Sequence, residues 1–313
     1  MTLEHIALTT LAALAGRWEF SQEAAVYVGP QENAFAPFGV AIAGRSLRSG
    51  IVKTTVVFPN QTSVGRIVFG HNAATGEYFS AGLGGYGYAY LLDRYVPNAG
   101  WQGLRTEGSA NNLRAGVAYH LEVQVRGQRV ALFVNSVRVL EGNLPHPMTD
   151  DRIGLFAWGD VPVQFTDFQA DIGRPQAFVV MQYTSPFDVL FTDVIEPVAR
   201  EAGFIAYRAA DVYRPGLILQ DIIQGLTESE VVVAEITPPN QNVFYELGYA
   251  HALEKPTILL AERSQRGELP FDIRGYRVIF YDNTIGGKRE VTENLRKHLA
   301  TIKGAWETPP QAG

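Results

Sequence analysis

Between residues 18 and 172 the chain runs in short alternating apolar and polar segments broken by Gly, Asn and Pro: GIVKTTVVFP, VGRIVFGHN, YHLEVQVRG, RVALFVNSVRVLEG, RIGLFAW and VQFTDFQADI. Alternation with a period of two turns one face of each segment to a core and the other to water. Repeated at this spacing, it predicts antiparallel strands of a two-sheet β-sandwich. VRGQRVALFVNSVRVL is the clearest unit, with Gly127-Gln128 and Asn135-Ser136 as its turns. After GRPQ, residues 173–176, the period changes. AFVVMQ is a continuous apolar run, and SPFDVLFTDVIEPVAREAG then spaces Phe187, Leu190, Val194, Val198 and Ala202 at helical intervals. Ser185 can cap that helix, Pro186 fits its first turn, Gly203 ends it, and Pro197 inside it predicts a kink. Strand FIAY, helix LILQDIIQGLTES, strand VVVAEI, helix VFYELGYAHALE, strands TILLAE and YRVIFYD and helix EVTENLRKHLATI follow. Uniformly apolar strands alternating with helices predict a parallel sheet covered on both faces. The expected architecture is therefore two domains, an all-β sandwich over 1–172 and an α/β doubly wound parallel sheet over 177–313. The first stretch, MTLEHIALTTLAALAG, reads as a short packed helix, because Glu4 and His5 stand where a signal peptide would carry positive charge.

Composition narrows the partners. A chain of 313 residues with 46% hydrophobic content has enough apolar surface for two cores. A formal net charge of -6, with no run of Lys and Arg, leaves no electrostatic footprint for nucleic acid or an anionic membrane surface. The absence of cysteine excludes disulfides, thiolate metal sites and a cysteine nucleophile, and is compatible with a reducing cytosol. No run approaches the roughly 20 apolar residues of a membrane span, so the expectation is a soluble, cytoplasmic protein with no metal or cofactor of its own.

In a doubly wound sheet, ligands bind beyond the carboxyl ends of the strands. The residues there are Gln182 and Tyr183 after the first strand, Arg208 and Asp211 after the second, Glu235, Thr237 and the loop PPNQN after the third, and Glu262 after the fourth. Acids and amides at one rim suit a neutral or cationic hydroxylated ligand better than a bare phosphate. Glu246 stands apart. At about 100° per residue it falls on the stripe of Val243, Leu247, Ala250 and Leu253, so it faces inward near the strand ends. Its neighbours one turn away are Asn242 and Ala250, which offer no salt bridge. An unpaired buried carboxylate costs several kcal/mol or shifts its pKa upward, unless donors hold it or it acts on a ligand; the nearby helix N-terminus offsets part of this. Asp221 in LILQDIIQGL poses the same question more weakly, a solvated face being its simpler explanation. His251 reads as structural, and Asn242 as the helix cap.

The stretches AFVVMQYTSPFDVLFTDVIEPVAREAGF, YRAADVYRPGLILQDIIQGLTESEVVVAEITPPNQNVFYELGYAHALEKPTILLAE and LPFDIRGYRVIFYD, residues 177–282, resemble the nucleoside 2-deoxyribosyltransferase-like superfamily, especially its bacterial TIR-like branch. NVFYELGYAHAL is the most specific block. The resemblance implies a flavodoxin-like α/β fold that cleaves an N-glycosidic bond. It implies Glu246 as the catalytic carboxylate at the ribosyl C1′, with Asp221 and the 240–242 loop, Asn240 and Asn242 in particular, holding sugar or base. Gln182 and Tyr183 match the family's loop after the first strand, and Arg208 with Asp211 its arginine-aspartate element. With Thr237 these are the expected substrate contacts. The chain departs from many relatives in having two alanines between Arg208 and Asp211, and MQY in place of MPF. An anion in a water-poor site stabilises an oxocarbenium-like state. A neutral purine or pyrimidine leaving group also needs a proton, which Asp221 or Asp211 would have to supply. Nicotinamide leaves NAD as a neutral molecule, so one Glu suffices.

GRWEF, YHLEVQVRGQRVALFVNSVRVL and RIGLFAWGDVPVQFTDFQADI, within 16–172, are similar to concanavalin A-like (laminin G or jelly-roll) modules, which implies glycan binding or assembly. The closely alternating acids of β-sandwich glucanases are missing: LEVQVRG offers only Glu122. Tyr78, Tyr86, Tyr88, Tyr90, Tyr95 and Trp101 can stack on a ligand, although strand aromatics are more often core. Together the resemblances imply an NAD-cleaving effector, switched by an activating ligand or protein at the sandwich or by homo-oligomerisation, in bacterial antiphage defence. The alternatives are nucleoside deoxyribosyl transfer in salvage, nucleotide sensing without turnover, and a glycan-binding scaffold.

Overall fold

Two antiparallel sheets lie face to face within residues 4–172 of the computed structural model, which describes residues 3–32, 37–159, 161–211, 217–273 and 275–307. The first runs Val137–Asn143, Arg129–Val134, Tyr119–Arg126, Gly50–Val57, Val163–Ile172, Ala25–Gly29, Arg17–Phe20, with Glu4–His5 added against Val163–Ile172. The second runs Gly100–Ser109, Tyr88–Val96, Tyr78–Leu83, Val64–His71, Arg152–Trp158, Phe38–Ser46, Ala12–Ala15. Alternation sorts the side chains as expected: in Tyr119–Arg126, Tyr119, Leu121, Val123 and Val125 are buried, while His120 and Arg126 are exposed. Tyr27, Phe58, Phe69, Phe79, Phe165 and Phe168 fill the space between the sheets. Asn135 (φ 49°) and Ser136 (φ 66°) close the hairpin between Arg129–Val134 and Val137–Asn143, both in the left-handed region that a two-residue turn requires.

The N-terminal stretch corrects the expected helix. Glu4–His5 and Ala12–Ala15 are edge strands, joined by one helical turn at Leu8–Thr10. Ile6, Leu8 and Leu11 are all buried in the sandwich core, and Ala12–Ala15 pairs with Phe38–Ser46. Pairing with a ready-made sheet edge outweighs the modest helix preference of the alanines.

The parallel sheet is built from β1 (Gln176–Val180), β2 (Ile205–Tyr207), β3 (Val231–Glu235), β4 (Thr257–Glu262) and β5 (Val278–Tyr281), in the order β2-β1-β3-β4-β5. Helix α1 (residues 187–201) covers one face together with α4 (Ile285–Glu307), burying Phe191, Val194, Val198, Leu295 and Leu299 against β1, β3, β4 and β5. It runs Phe187–Leu190, widens into a π-type turn at Phe191–Ile195 and resumes at Glu196–Glu201. Helices α2 (Ile218–Glu228) and α3 (Gln241–Ala252) cover the other face through Leu226, Val243, Leu247 and Ala250. Pro197 produces the π-type turn where a kink was expected: its nitrogen has no proton to donate, and the wider turn just before it absorbs the missing bond. Ser185 makes no cap. The carbonyl of Thr184 accepts instead from the N–H groups of Phe187 (2.8 Å) and Asp188 (3.3 Å). Gly203 (φ 88°) ends the helix as expected. Among the described residues no helix is long and apolar enough to cross a membrane.

The sandwich meets the α/β half at the amino ends of the parallel strands. The hairpin tip at Gly127 inserts against the last turn of α2: Gln128 N–H donates to the Thr227 carbonyl (3.0 Å), Gly127 N–H to Glu230 Oε1 (3.1 Å), and Arg129 Nη1 to Glu228 Oε1 (2.6 Å). Glu230 also accepts from Gln176 N–H, and burial pushes its carboxyl up to about 7. Lys255 closes the junction from below, donating to the carbonyls of Thr227 (2.8 Å) and Ser229 (2.6 Å). The carboxyl ends of the strands lie at the opposite pole.

Candidate functional site

Strand order reverses at β1, which pairs with β2 on one side and β3 on the other, so the crevice beyond β1 and β3 is the topological switch point of the sheet. Helix α3 follows β3 and overhangs this crevice. Its cap is Asn240: the Oδ1 atom accepts from the N–H groups of Asn242 (2.9 Å) and Val243 (3.4 Å). The capping role expected of Asn242 therefore belongs two residues earlier. Asn242 is exposed on the first turn, four residues before Glu246 and so on the same side of the helix.

The inward face of α3 is Val243, Glu246, Leu247 and Ala250. Glu246 is 8% exposed. Among the described residues its carboxylate takes part in no hydrogen bond or ion pair, and burial alone pushes its carboxyl up to about 7. A carboxylate of ordinary acidity would demand donors. This one is desolvated and, among the described residues, unneutralised, which is the electrostatic state suited to a cation or to charge that develops on a bound molecule.

The neighbours fall into two groups. Tyr183 belongs with Glu246: it is 42% exposed, but burial of its hydroxyl end and then the Glu246 charge push the phenol up to about 12, against the opposing pull of Arg208. Gln182 Nε2 donates to the Pro238 carbonyl (3.1 Å), tying the loop after β1 to the loop after β3. Asp221 sits half-buried in the first turn of α2, more enclosed than a solvated face would leave it, and follows segment 212–216, part of the family-like stretch, which lies outside the described residues.

Arg208, Asp211 and Thr237 serve the walls of the site. Both oxygens of Asp211 accept from Arg208, at 3.0 Å and 3.2 Å, and Arg208 Nη1 donates to Asp188 Oδ1 (2.7 Å). The guanidinium lies 4.2 Å from the ring centre of Phe191 and 5.7 Å from that of Tyr183. This cluster staples the loop after β2 to α1 and props up Tyr183. Asp188 and Phe191 complete it, and no sequence signal pointed to them because they lie some 20 residues from Arg208 on a different element. Thr237 donates from Oγ1 (2.6 Å) and N–H (3.1 Å) to Glu235 and accepts from Glu262 N–H (2.8 Å), so its hydroxyl proton is committed within the fold. Glu235 accepts also from the Tyr281 hydroxyl (3.1 Å); burial pushes its carboxyl up to about 7.

The ring of His251, read from sequence as more often structural than a base, stacks on Tyr276 at 4.6 Å and 7°. A concavity between α1 and α4, lined by Phe187, Glu262, Tyr281 and Lys288, lies on the other face of the sheet from Glu246, and Lys288 there is paired with Asp193 (2.9 Å). Among the described residues no group of three or more His, Asp or Glu side chains is placed to hold a metal ion.

No family model and no curated protein matches the chain. Three solved structures show what it is similar to. The carbohydrate-binding module CBM66 of Bacillus subtilis has 11% identity and a TM-score of 0.44, over 52% of this chain and 96% of that one. The β-glucanase of Bacillus licheniformis has 10% identity and a TM-score of 0.39, over 55% and 98%. A Bacillus subtilis protein of unknown function with a galectin-like fold has 11% identity and a TM-score of 0.38, over 54% and 94%. Each likeness covers about half of the chain; the sandwich itself rests on the pairing of its strands.

Proposed function

We propose that the α/β half cleaves the N-glycosidic bond of NAD or a related nucleotide, with Glu246 as the carboxylate that faces the anomeric carbon. One observation carries the reading: a buried carboxylate with no partner among the described residues stands on the helix that overhangs the switch-point crevice. As the bond to nitrogen lengthens, positive charge grows on the ribosyl C1′ and its ring oxygen. An anion already stripped of water stabilises that charge without having to shed solvent during the step. Tyr183 borders the site, while Gln182 and the cluster of Arg208, Asp188 and Asp211 fix its loops. Asp211 is held as an acceptor on both oxygens, which disfavours it as the acid that a neutral leaving base would need and leaves Asp221 alone for that part. A pyridinium leaving group needs no such acid, and this favours NAD over an ordinary nucleoside. The TIR-like resemblance of residues 177–282 adds an effector role in bacterial antiphage defence, with the sandwich sensing an activator or driving homo-oligomer assembly in the cytoplasm.

The test is nicotinamide release from NAD by purified full-length protein, followed by chromatography, with deoxynucleoside base exchange run in parallel. The ionised form of Glu246 is the working form, so kcat/KM should rise as pH climbs through about 7, fitted by one ionisation, and level off above it. Base exchange without nicotinamide release would replace this reading with deoxyribosyl transfer.

A further inference from the structure

The outer face of the seven-stranded sheet, turned away from the sandwich core, carries its own apolar cluster. Val64, Val68, Tyr78 and Phe156 are buried there, with Phe38, Tyr95, Trp101 and Trp158 packed over them. Of the aromatics expected either to stack or to fill core, Tyr78, Tyr95 and Trp101 thus form a second core, Tyr90 packs against the main one, and Tyr86 and Tyr88 remain exposed. Trp101 meets Trp158 edge-on at 5.5 Å. Beside this pair a cavity of about 250 Å³ opens, walled by Trp101, Phe156, Trp158 and Tyr86.

Its floor is polar and electrically balanced. Arg66, 3% exposed, is paired with Asp93 through Nη1 and donates from Nη2 to the Gly84 carbonyl, while its Nε has no acceptor. Asp93 accepts also from Ser80. The lip is a specialised loop. Gly84, Gly85, Tyr86 and Gly87 all have positive φ (79°, 124°, 51° and 83°), and a Cβ at Gly85 would overlap Arg66 Nη2. Glycine lets the backbone lie against the guanidinium and holds Tyr86, 66% exposed, over the cavity mouth.

A ligand for this cavity needs apolar faces and a polar edge. Four of its walls are aromatic, and among the described residues its polar side chains besides the Tyr86 hydroxyl and the two indole N–H groups are Thr62, Arg66 and Asp93, the last two spent largely on each other. A saccharide ring enclosed here would leave most of its hydroxyls unpaired, at a cost for each. A flat ring with nitrogen or carbonyl groups only at its rim would not. The balanced pair gives no net attraction for an anion, and the spare N–H of Arg66 beside the Asp93 carboxylate offers donor and acceptor together. We propose that this cavity binds a planar nitrogen heterocycle of nucleobase or pyridine-carboxamide type, stacked between Tyr86 and the indoles with its polar edge on Arg66 and Asp93. The inference is independent of Glu246.

The experiment is calorimetry on the full chain with adenine, guanine, uracil and nicotinamide, and with glucose, galactose and fructose, supported by the fluorescence of Trp101 and Trp158. At least one heterocycle should bind and quench. Tyr86→Ala should weaken it about tenfold, within the range for stacking a base on an aromatic ring, and leave the unfolding midpoint unchanged because Tyr86 is exposed. Glu246→Gln should leave this binding intact, which separates it from the other site. Binding that survives Tyr86→Ala, binding of sugars in place of heterocycles, or no binding at millimolar concentration would each overturn the assignment.

Discussion

Glu246→Gln should abolish nicotinamide release and, at alkaline pH, make the protein more stable than the wild type. Loss of the charge that faces the anomeric carbon should lower kcat by at least about 10²- to 10³-fold, the scale set by removal of one preorganised electrostatic partner. The stability gain follows from linkage. The carboxyl ionises near 4.5 in the unfolded chain and near 7 in the folded one. Between those values the native state holds a proton that the unfolded state has lost, so wild-type stability falls as pH rises across the window and stays low above it. The displacement corresponds to a penalty on the order of 3 kcal/mol as an upper bound. Gln carries no charge to desolvate, so urea midpoints of the two proteins should nearly coincide at pH 5 and separate by pH 8, the variant higher. A stability difference independent of pH would mean that Glu246 has a partner in solution, and undiminished turnover in the variant would remove it from the chemistry. Glu246→Asp serves as the control that keeps the charge and withdraws it by one methylene.

How far the sequence alone reaches depends on the range of the interaction concerned. Glu246 could be placed on the inward face because helical period is local: three apolar neighbours at spacings of three and four set its direction, and the same stripe is buried. The central parallel strands were legible because they are buried on both faces and so are apolar at nearly every position before their carboxyl ends. The N-terminal strands were not: alanine-rich local preference at Ala12–Ala15 points to helix and only a sheet edge some 30 residues away decides otherwise, while Glu4–His5 finds its partners at Ala170 and Gln169. Thr237 reads as a rim contact because loops after strands are polar; its partners within the fold, Glu235, Glu262 and through Glu235 the hydroxyl of Tyr281, were not legible, because they come from three different strand ends. Arg208 likewise looked available to a ligand until Asp188, from α1, took up one arm of its guanidinium. Spacing reports direction, and only the fold reports which polar groups are already satisfied.

The junction between the halves depends on Gly127, and Gly127→Val should break it. Gly127 sits at φ 53° at the hairpin tip, and a Cβ there would come within 2.6 Å of the Thr227 carbonyl oxygen and 2.7 Å of the Glu228 carbonyl. These are backbone atoms in the last turn of α2, so nothing flexible can give way. A β-branched residue adds conformational strain at positive φ, and the two effects together should cost about 3 kcal/mol or more. The cost falls on a particular place. Displacing the hairpin takes the Gly127 N–H from Glu230, separates Gln128 from Thr227 and Arg129 from Glu228, and admits water to a carboxyl that burial had raised to about 7. Calorimetry should then resolve two unfolding transitions where the wild type should give one, and proteases should cut faster within 173–176. Gly127→Asn separates the causes, since Asn tolerates positive φ but still carries the Cβ. If contact with α2 joins the halves, Asn should split the transition as Val does; a single, unshifted transition in the Asn variant would show that the junction does not depend on this contact. The outcome bears on the proposed site as well. Helix α2 carries Thr227 and Glu228 at the junction and Asp221 in its first turn at the other end, so it runs from the hairpin tip toward the carboxyl-end side of the sheet. Freeing its last turn in Gly127→Val should therefore alter nicotinamide release, although the substitution touches no residue at the strand ends.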